Sequence, residues 1–398
     1  MYSVLAILAA FVFVYSLVAE RLEKTPSSGA IVFVAFGLLC GPVGLGLVDL
    51  DVDAEGIRTL AELTLALVLF TDATNADLRV LKLSFRIPER LLLFGLPLTI
   101  LLGFVFGVIV FDQLSLLGAA LLATILAPTD AALGEAVVTN EAVPARTREG
   151  LNVESGLNDG ICVPVLLIFL AFAIGSDEAN APVTLILHHF AAEIGIGVGV
   201  GILCTVVGAH LFRFAHDRGW IGEIWMQVTV PALALTCFAT AQSLDGSGFI
   251  ACFVGGLIAG ALVREHKASL LLAAEGTGDT LALLTWVTFG ATVAGSVLEH
   301  FAWNALLYAA LSLTVIRMLP VFLSLTGTGL TAADKLFIGW FGPRGLASIV
   351  FLVIVLNEHL PGGEILKQTV VWTVIISILA HGLSANPLAR LYGARKSE

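Results

Sequence analysis

Residues 151–167 read LNVESGLNDGICVPVLL, a stretch in which Glu154, Ser155, Asn158 and Asp159 run straight into apolar residues. On a helix, Glu154, Asn158 and Cys162 fall at i, i+4 and i+8, while Ser155 and Asp159, four apart, share a second face. The apolar run continues to residue 175, and a bilayer crossing takes roughly 20 residues. A charge at bilayer depth costs about 2.5–3.5 kcal/mol on insertion scales, so an acid placed there is a functional candidate by default.

The rest of the chain is of the same kind. Of its 398 residues 58% are hydrophobic and 13% charged, with mean hydropathy +0.97, whereas soluble domains carry about 25% charged residues. A soluble enzyme, a secreted scaffold and a disordered chain are excluded. The five cysteines all lie in apolar runs without CxxC spacing and read as small buried residues. A net charge of −11 is no footprint for nucleic acid. No cofactor is expected, and the chain reads as a polytopic helical membrane protein and not an enzyme.

Gly, Pro and charge clusters divide the sequence into thirteen predicted spans: 2–19, 29–48, 57–76, 91–111, 114–138, 150–175, 183–212, 224–244, 247–263, 277–298, 302–325, 333–356 and 368–388. The first lacks a basic leader and a small-residue cleavage site, so it reads as a retained helix. Sixteen of the twenty Lys and Arg residues fall in alternate loops, from Arg21 and Lys24, through Arg79, Lys82 and Arg264, to the C-terminal Arg395 and Lys396. By the positive-inside rule that side is cytoplasmic. The expectation is a multi-pass protein of the cell (inner) membrane with its N-terminus outside and its C-terminus in the cytoplasm.

Arg58 and Lys367 lie on the other side, which leaves Arg317 and Arg344 inside spans, with Asp72, Asp130, Glu154 and Asp159. Two spans are also interrupted. APTDAALG (127–134) places Pro128, which has no backbone donor, beside Thr129 and Asp130. GWFGPRGLAS (339–348) surrounds Arg344 with Gly342, Pro343 and Gly345. If spans one to six and eight to thirteen are inverted repeats, each break falls in the fifth helix of its repeat. Paired interrupted helices at matching positions point to a secondary transporter's site near the midplane.

Asp159, Asp130, Thr129, Ser155 and a freed backbone carbonyl form an all-oxygen set, which suits a hard monovalent cation. Two carboxylates in one apolar pocket resist being ionised together. The same oxygens can then hold either a cation or a proton, and that competition is a mechanism for exchange. For Asp72 a structural role and a site role weigh equally. A buried pair of Glu154 with Arg344 is the preferred reading for those two residues, although Arg317 could also compensate Glu154 or Asp130. His381 precedes a glycine near the end of the last span and carries no assigned role.

APTDA in span five, VESGLNDG in span six, VIRMLPV in span eleven and FGPRGLAS in span twelve together resemble the monovalent cation:proton antiporters, most closely the NhaP-type branch of bacterial sodium/proton exchangers. The likeness extends over all thirteen spans. It implies an all-α, polytopic homodimer with two crossing interrupted helices (spans five and twelve). A dimerisation domain would comprise 1–76 and 224–298, an ion-transporting core 77–175 and 299–398, and 183–212 would link them. By the same resemblance Asp159 is the essential cation- and proton-binding aspartate, supported by Asn158. Asp130, Thr129 and Ser155 complete the site, and Glu154 with Arg344 forms a structural ion pair. An Asn-Asp motif implies electroneutral exchange of one cation for one proton, the cation being Na+ before K+ or Li+. Relatives often hold a glutamate in the third span where this chain has Asp72, so ion preference is open. The short stretch after the last span implies no nucleotide-sensing extension. The rival readings are a K+-selective antiporter, a cation channel, for which no filter-like segment appears, and a sodium-coupled carrier of an organic anion.

Overall fold

The computed structural model describes residues 2–23, 29–47, 54–76, 86–130, 132–140, 142–177, 183–262, 267–298 and 301–397. Lys24, residues 49–53, Arg79, Lys82 and Arg264 lie outside the described residues. Helices account for nearly all of the rest. In chain order they are α1 (Tyr2–Glu23), α2 (Gly29–Cys40), α3 (Ala54–Asn75), α4 (86–110, with a π turn at Leu91–Gly95), α5 (Leu116–Ile125), α6 (Glu135–Val138), α7 (Ala145–Asp177) and α8 (Val183–Asp217). Then follow α9 (Glu223–Ser243), α10 (Gly248–Leu262), α11 (267–298, with a π turn at Phe289–Ala294), α12 (Trp303–Leu313), α13 (Val315–Ser324), α14 (Ala332–Trp340), α15 (Leu346–Asn357) and α16 (Gly363–Ser397).

Eight helical stretches among the described residues are long and apolar enough to cross a membrane. Others are apolar but shorter, among them α5 and α15, the halves of the interrupted spans. Leucine, isoleucine and phenylalanine side chains such as Leu101, Ile109 and Phe94 point outward, while Glu154, Asp159, Arg317 and Arg344 are buried. This inversion suits a chain solvated by lipid, in which backbone polar groups must be satisfied internally.

Packing falls into two groups of helices. In the first, α10 lies on α3 and α8, and α11 lies on α2, α3 and α9. The contact with α3 is close because Gly256 and Gly260 present no side chain: a Cβ at either would strike the Phe70 or Thr74 carbonyl oxygen. Small residues four apart let membrane helices approach in this way, and the Thr74 hydroxyl donates to the Gly256 carbonyl at 3.2 Å. In the second group α4 packs on α5, α5 on α7, α12 and α15 on α16, and α13 on α14. The groups meet where α3 touches α7 and α15.

Both interruptions occur where the sequence places them. Ser115 caps α5 by accepting from the Gly118 N–H at 2.9 Å, and the helix stops at Ile125, short of Pro128. Thr331 and Asp334 cap α14 reciprocally, and 341–345 is non-helical before α15 resumes at Leu346. The two breaks face each other and satisfy each other's freed groups. The Asp130 N–H donates to the Pro343 carbonyl at 2.8 Å, the Ser348 hydroxyl to the Ile125 carbonyl at 2.8 Å, and the Leu346 N–H to Asp130 Oδ2 at 2.9 Å. The last helix runs past the expected end of its span, because its far turns are anchored: Tyr392 donates to Asp334 Oδ1 at 2.7 Å.

Candidate functional site

A cavity of about 560 Å3 lies where the two helix groups meet. Asp130, from the first break, and Asp159, from α7, line one wall together with Leu346 and Ala347 at the start of α15. Asp72 and Thr71 of α3 and Trp286 of α11 line the other. Three of the carboxylates singled out from the sequence therefore line one cavity.

The chemistry on the α7 side is set by what lacks a partner. Asp159 is 7% exposed, and among the described residues neither its Oδ1 nor Oδ1 of the neighbouring Asn158 has a hydrogen-bond partner. Both are acceptors only, and a buried acceptor without a donor is costly. A cation or a proton would satisfy them. The Asn158 amide nitrogen is engaged: it donates to Thr129 Oγ1 at 2.6 Å, and Thr129 Oγ1 lies 2.9 Å from Ser155 Oγ. This chain of polar groups ties α7 to the first break, behind the cavity wall. Farther along α7, Pro164 has no N–H to offer the Gly160 carbonyl beside Asp159.

Asp130 is differently placed. Its carboxylate accepts from the Leu346 N–H at 2.9 Å and from the Leu133 N–H at 3.3 Å, so the start of α15 holds it in orientation. A Cβ at Gly345 would run into this carboxylate, with Asp130 Cγ and Cβ each 2.6 Å away. Glycine at 345 is thus required by the close crossing of the two breaks.

The expected Glu154–Arg344 pair is corrected. Glu154 accepts a two-pronged bond from Arg317, Nη1 to Oε1 at 2.6 Å and Nη2 to Oε2 at 2.8 Å, and both residues are 1% exposed. Arg317 lies on α13, which presents its guanidinium to α7. Arg344 lies in the break itself and turns back on backbone instead. Its Nη1 donates to the Gly342 carbonyl at 2.9 Å and approaches the Pro128 carbonyl at 3.4 Å. It thereby bridges the two breaks.

Further residues received no role from the sequence. Glu275 and Asp279 on α11 line the same cavity, and the Asn75 amide holds Glu275 Oε1 at 2.9 Å. Two acids four apart at the start of a span were the available signal. With Glu149 they outnumber Arg148 in the same lining, so the approach to Asp130 and Asp159 carries an excess of negative charge, which concentrates cations. Ser377 and His381 on α16 contact the second break.

Residues 7–391 match the family described as "Sodium/hydrogen exchanger, transmembrane". The K(+)/H(+) antiporter NhaP2 of Shewanella sp. (strain MR-4) is 26% identical over 362 residues, which are 91% of this chain and 62% of that protein. The Na(+)/H(+) antiporter ApNhaP of Aphanothece halophytica is 25% identical over 373 residues, 90% of this chain and 70% of that protein. The chain thus spans less than two thirds of the Shewanella relative's length. The structure of the sodium proton antiporter MjNhaP1 from Methanocaldococcus jannaschii at pH 8 superposes with a TM-score of 0.77 at 20% identity, covering 95% of this chain and 98% of that one. That likeness shows a shared fold.

Proposed function

Because the chain belongs to the transmembrane sodium/hydrogen exchanger family, we propose that it is a secondary carrier exchanging a monovalent cation for a proton across a cell (inner) membrane. The observation that carries this reading is the buried, unpartnered Asp159 Oδ1 at the wall of an acidic cavity. A proton on Asp159 removes the charge that would hold a cation, and a bound cation excludes the proton. Asp130, oriented by two backbone donors, supplies the facing negative charge. Sodium is the first candidate cargo. Potassium is the second, because the Shewanella relative is named for it.

The same proposal covers the organisation of the chain. Thirteen crossings place the N-terminus outside and the C-terminus in the cytoplasm, so the cavity, which opens where α7 and α11 begin, faces the cytoplasm. The helices of 77–175 and 299–398 rock as a core against 1–76 and 224–298, which form a homodimer, with 183–212 as the link. Exchange is electroneutral: Glu154 is held by Arg317 and Asn158 is uncharged, so one group changes occupancy per cycle.

Purified protein in vesicles, with sodium, lithium and potassium supplied in turn and the membrane potential clamped, tests this. Cation-dependent proton flux indifferent to the clamp is expected. At acid pH the apparent affinity should fall about tenfold per pH unit, since one proton competes with one ion, and excess cation should restore the same maximal rate. Cation current without a pH gradient would instead mark a channel.

Gly345→Ala should raise the apparent cation KM about tenfold or more, by forcing Asp130 away from the Leu346 N–H. Gly278→Ala is the control on the opposite wall. Its nearest neighbour would be Val68 Cγ2 at 3.8 Å, so it should behave as the parent. Equal KM values for the two variants would remove Asp130 from the site.

A further inference from the structure

In an unbroken helix the Arg344 N–H would donate to the Trp340 carbonyl, four residues back. The break at 341–345 separates these two groups, and α16 supplies what stands between them. The Arg344 N–H donates to Ser377 Oγ at 2.6 Å. Ser377 Oγ lies 3.2 Å from His381 Nδ1, and His381 Nε2 lies 2.8 Å from the Trp340 carbonyl oxygen, which also accepts from the Gly342 N–H at 2.8 Å. Arg344, Ser377 and His381 are each at most 1% exposed.

We infer that Ser377 and His381 form a positioning relay that takes the place of the helical hydrogen bond opened at the second break. The directions are set at both ends, because an amide N–H only donates and a carbonyl only accepts. The hydroxyl therefore accepts from Arg344, and the Nε2–H donates to Trp340. His381 Nδ1 also lies 2.9 Å from the Ser377 carbonyl oxygen, so it is held against both the hydroxyl and the carbonyl of Ser377. The two side chains sit four apart on one face of α16, the spacing that brings them together. Neither lines the cavity. Both act through backbone: the relay fixes the Arg344 peptide, and two residues on the Leu346 N–H orients Asp130 at 2.9 Å. The polar groups of a broken span are tolerated because a third helix re-satisfies them, and here that helix is α16.

The consequence for transport rests on the exchange reading above; the relay itself does not. Hydrogen exchange over 341–346 in the purified protein needs no transport. It is expected to be faster in Ser377→Ala and in His381→Ala than in the parent, and no faster in the double variant, since a relay fails at its first gap. His381→Gln, which keeps a donor for Trp340, should recover part of the protection. In vesicles, the apparent cation KM should rise about tenfold in each single variant while the maximal rate stays within about twofold, as for residues that orient ligands without touching the ion. Unchanged amide exchange, effects that multiply in the double variant, or a lowered thermal midpoint with parental KM would overturn the relay. A parent without cation-dependent flux would overturn the transport reading alone, and the amide exchange would still decide the relay.

Discussion

Asp159→Asn is expected to fold, to run at the parental size in detergent and to show no cation-dependent proton flux in vesicles. The substitution keeps the size of the side chain and an oxygen acceptor, but removes both the charge and the titratable proton. Its site is already demanding: Asp159 is 7% exposed with Oδ1 unpartnered, so the carboxylate is the group whose charge a cation can answer. Loss should be complete at every pH and every cation concentration, unlike a variant of the approach such as Asp279→Asn, which excess cation should rescue. Because the asparagine removes a buried charge, its thermal midpoint should not fall below the parent's. Flux near the parental level would move the binding carboxylate to Asp130 or Asp72, which line the same cavity.

The largest stability effect is expected at Arg317. Arg317→Ala leaves Glu154 charged, 1% exposed and without its two-pronged partner. Removing one member of a buried pair costs about 3–5 kcal/mol, chiefly because the other is stranded. The guanidinium also abuts Gly342 at the edge of the second break, so packing is lost with the charge. Arg317→Gln combined with Glu154→Gln should recover much of the loss, since two neutral amides can still hydrogen-bond. Thermal unfolding in detergent reads both results. Arg344→Ala, which strands no carboxylate, should cost less. A larger loss at Arg344 than at Arg317 would restore the pairing that the sequence alone suggests.

The contrast between these two arginines shows what a sequence can and cannot display. The interruptions at Pro128 and at Gly342–Gly345 were legible because proline and glycine act on their own backbone, whatever packs nearby. That Asp130 and Asp159 come together at a cavity was legible because a charge in an apolar run needs water, a partner or an ion. The choice between Arg317 and Arg344 was not, because it depends on how α13 is rotated about its axis and on which way a non-helical peptide turns. Neither is a property of local sequence. Glu275 and Asp279 carried a readable signal, two acids one helical turn apart, but sat where a span begins, and acids there need no explanation. His381 was unreadable for a third reason: its partner across the fold is the Trp340 carbonyl, and backbone groups have no sequence signature.

The crossing of the two breaks also bears on how this chain can change over generations. Asp130 takes a backbone donor from position 346 and gives one to position 343, and Gly345 leaves no room for a side chain beside it. A substitution that shifts 128–130 therefore withdraws partners from 343–346, and the reverse holds equally. Drift in the two segments is tied together although more than two hundred residues separate them. Paired changes across this crossing are the mutational route open to the site, and either segment transplanted alone from a distant relative should prove a poor graft.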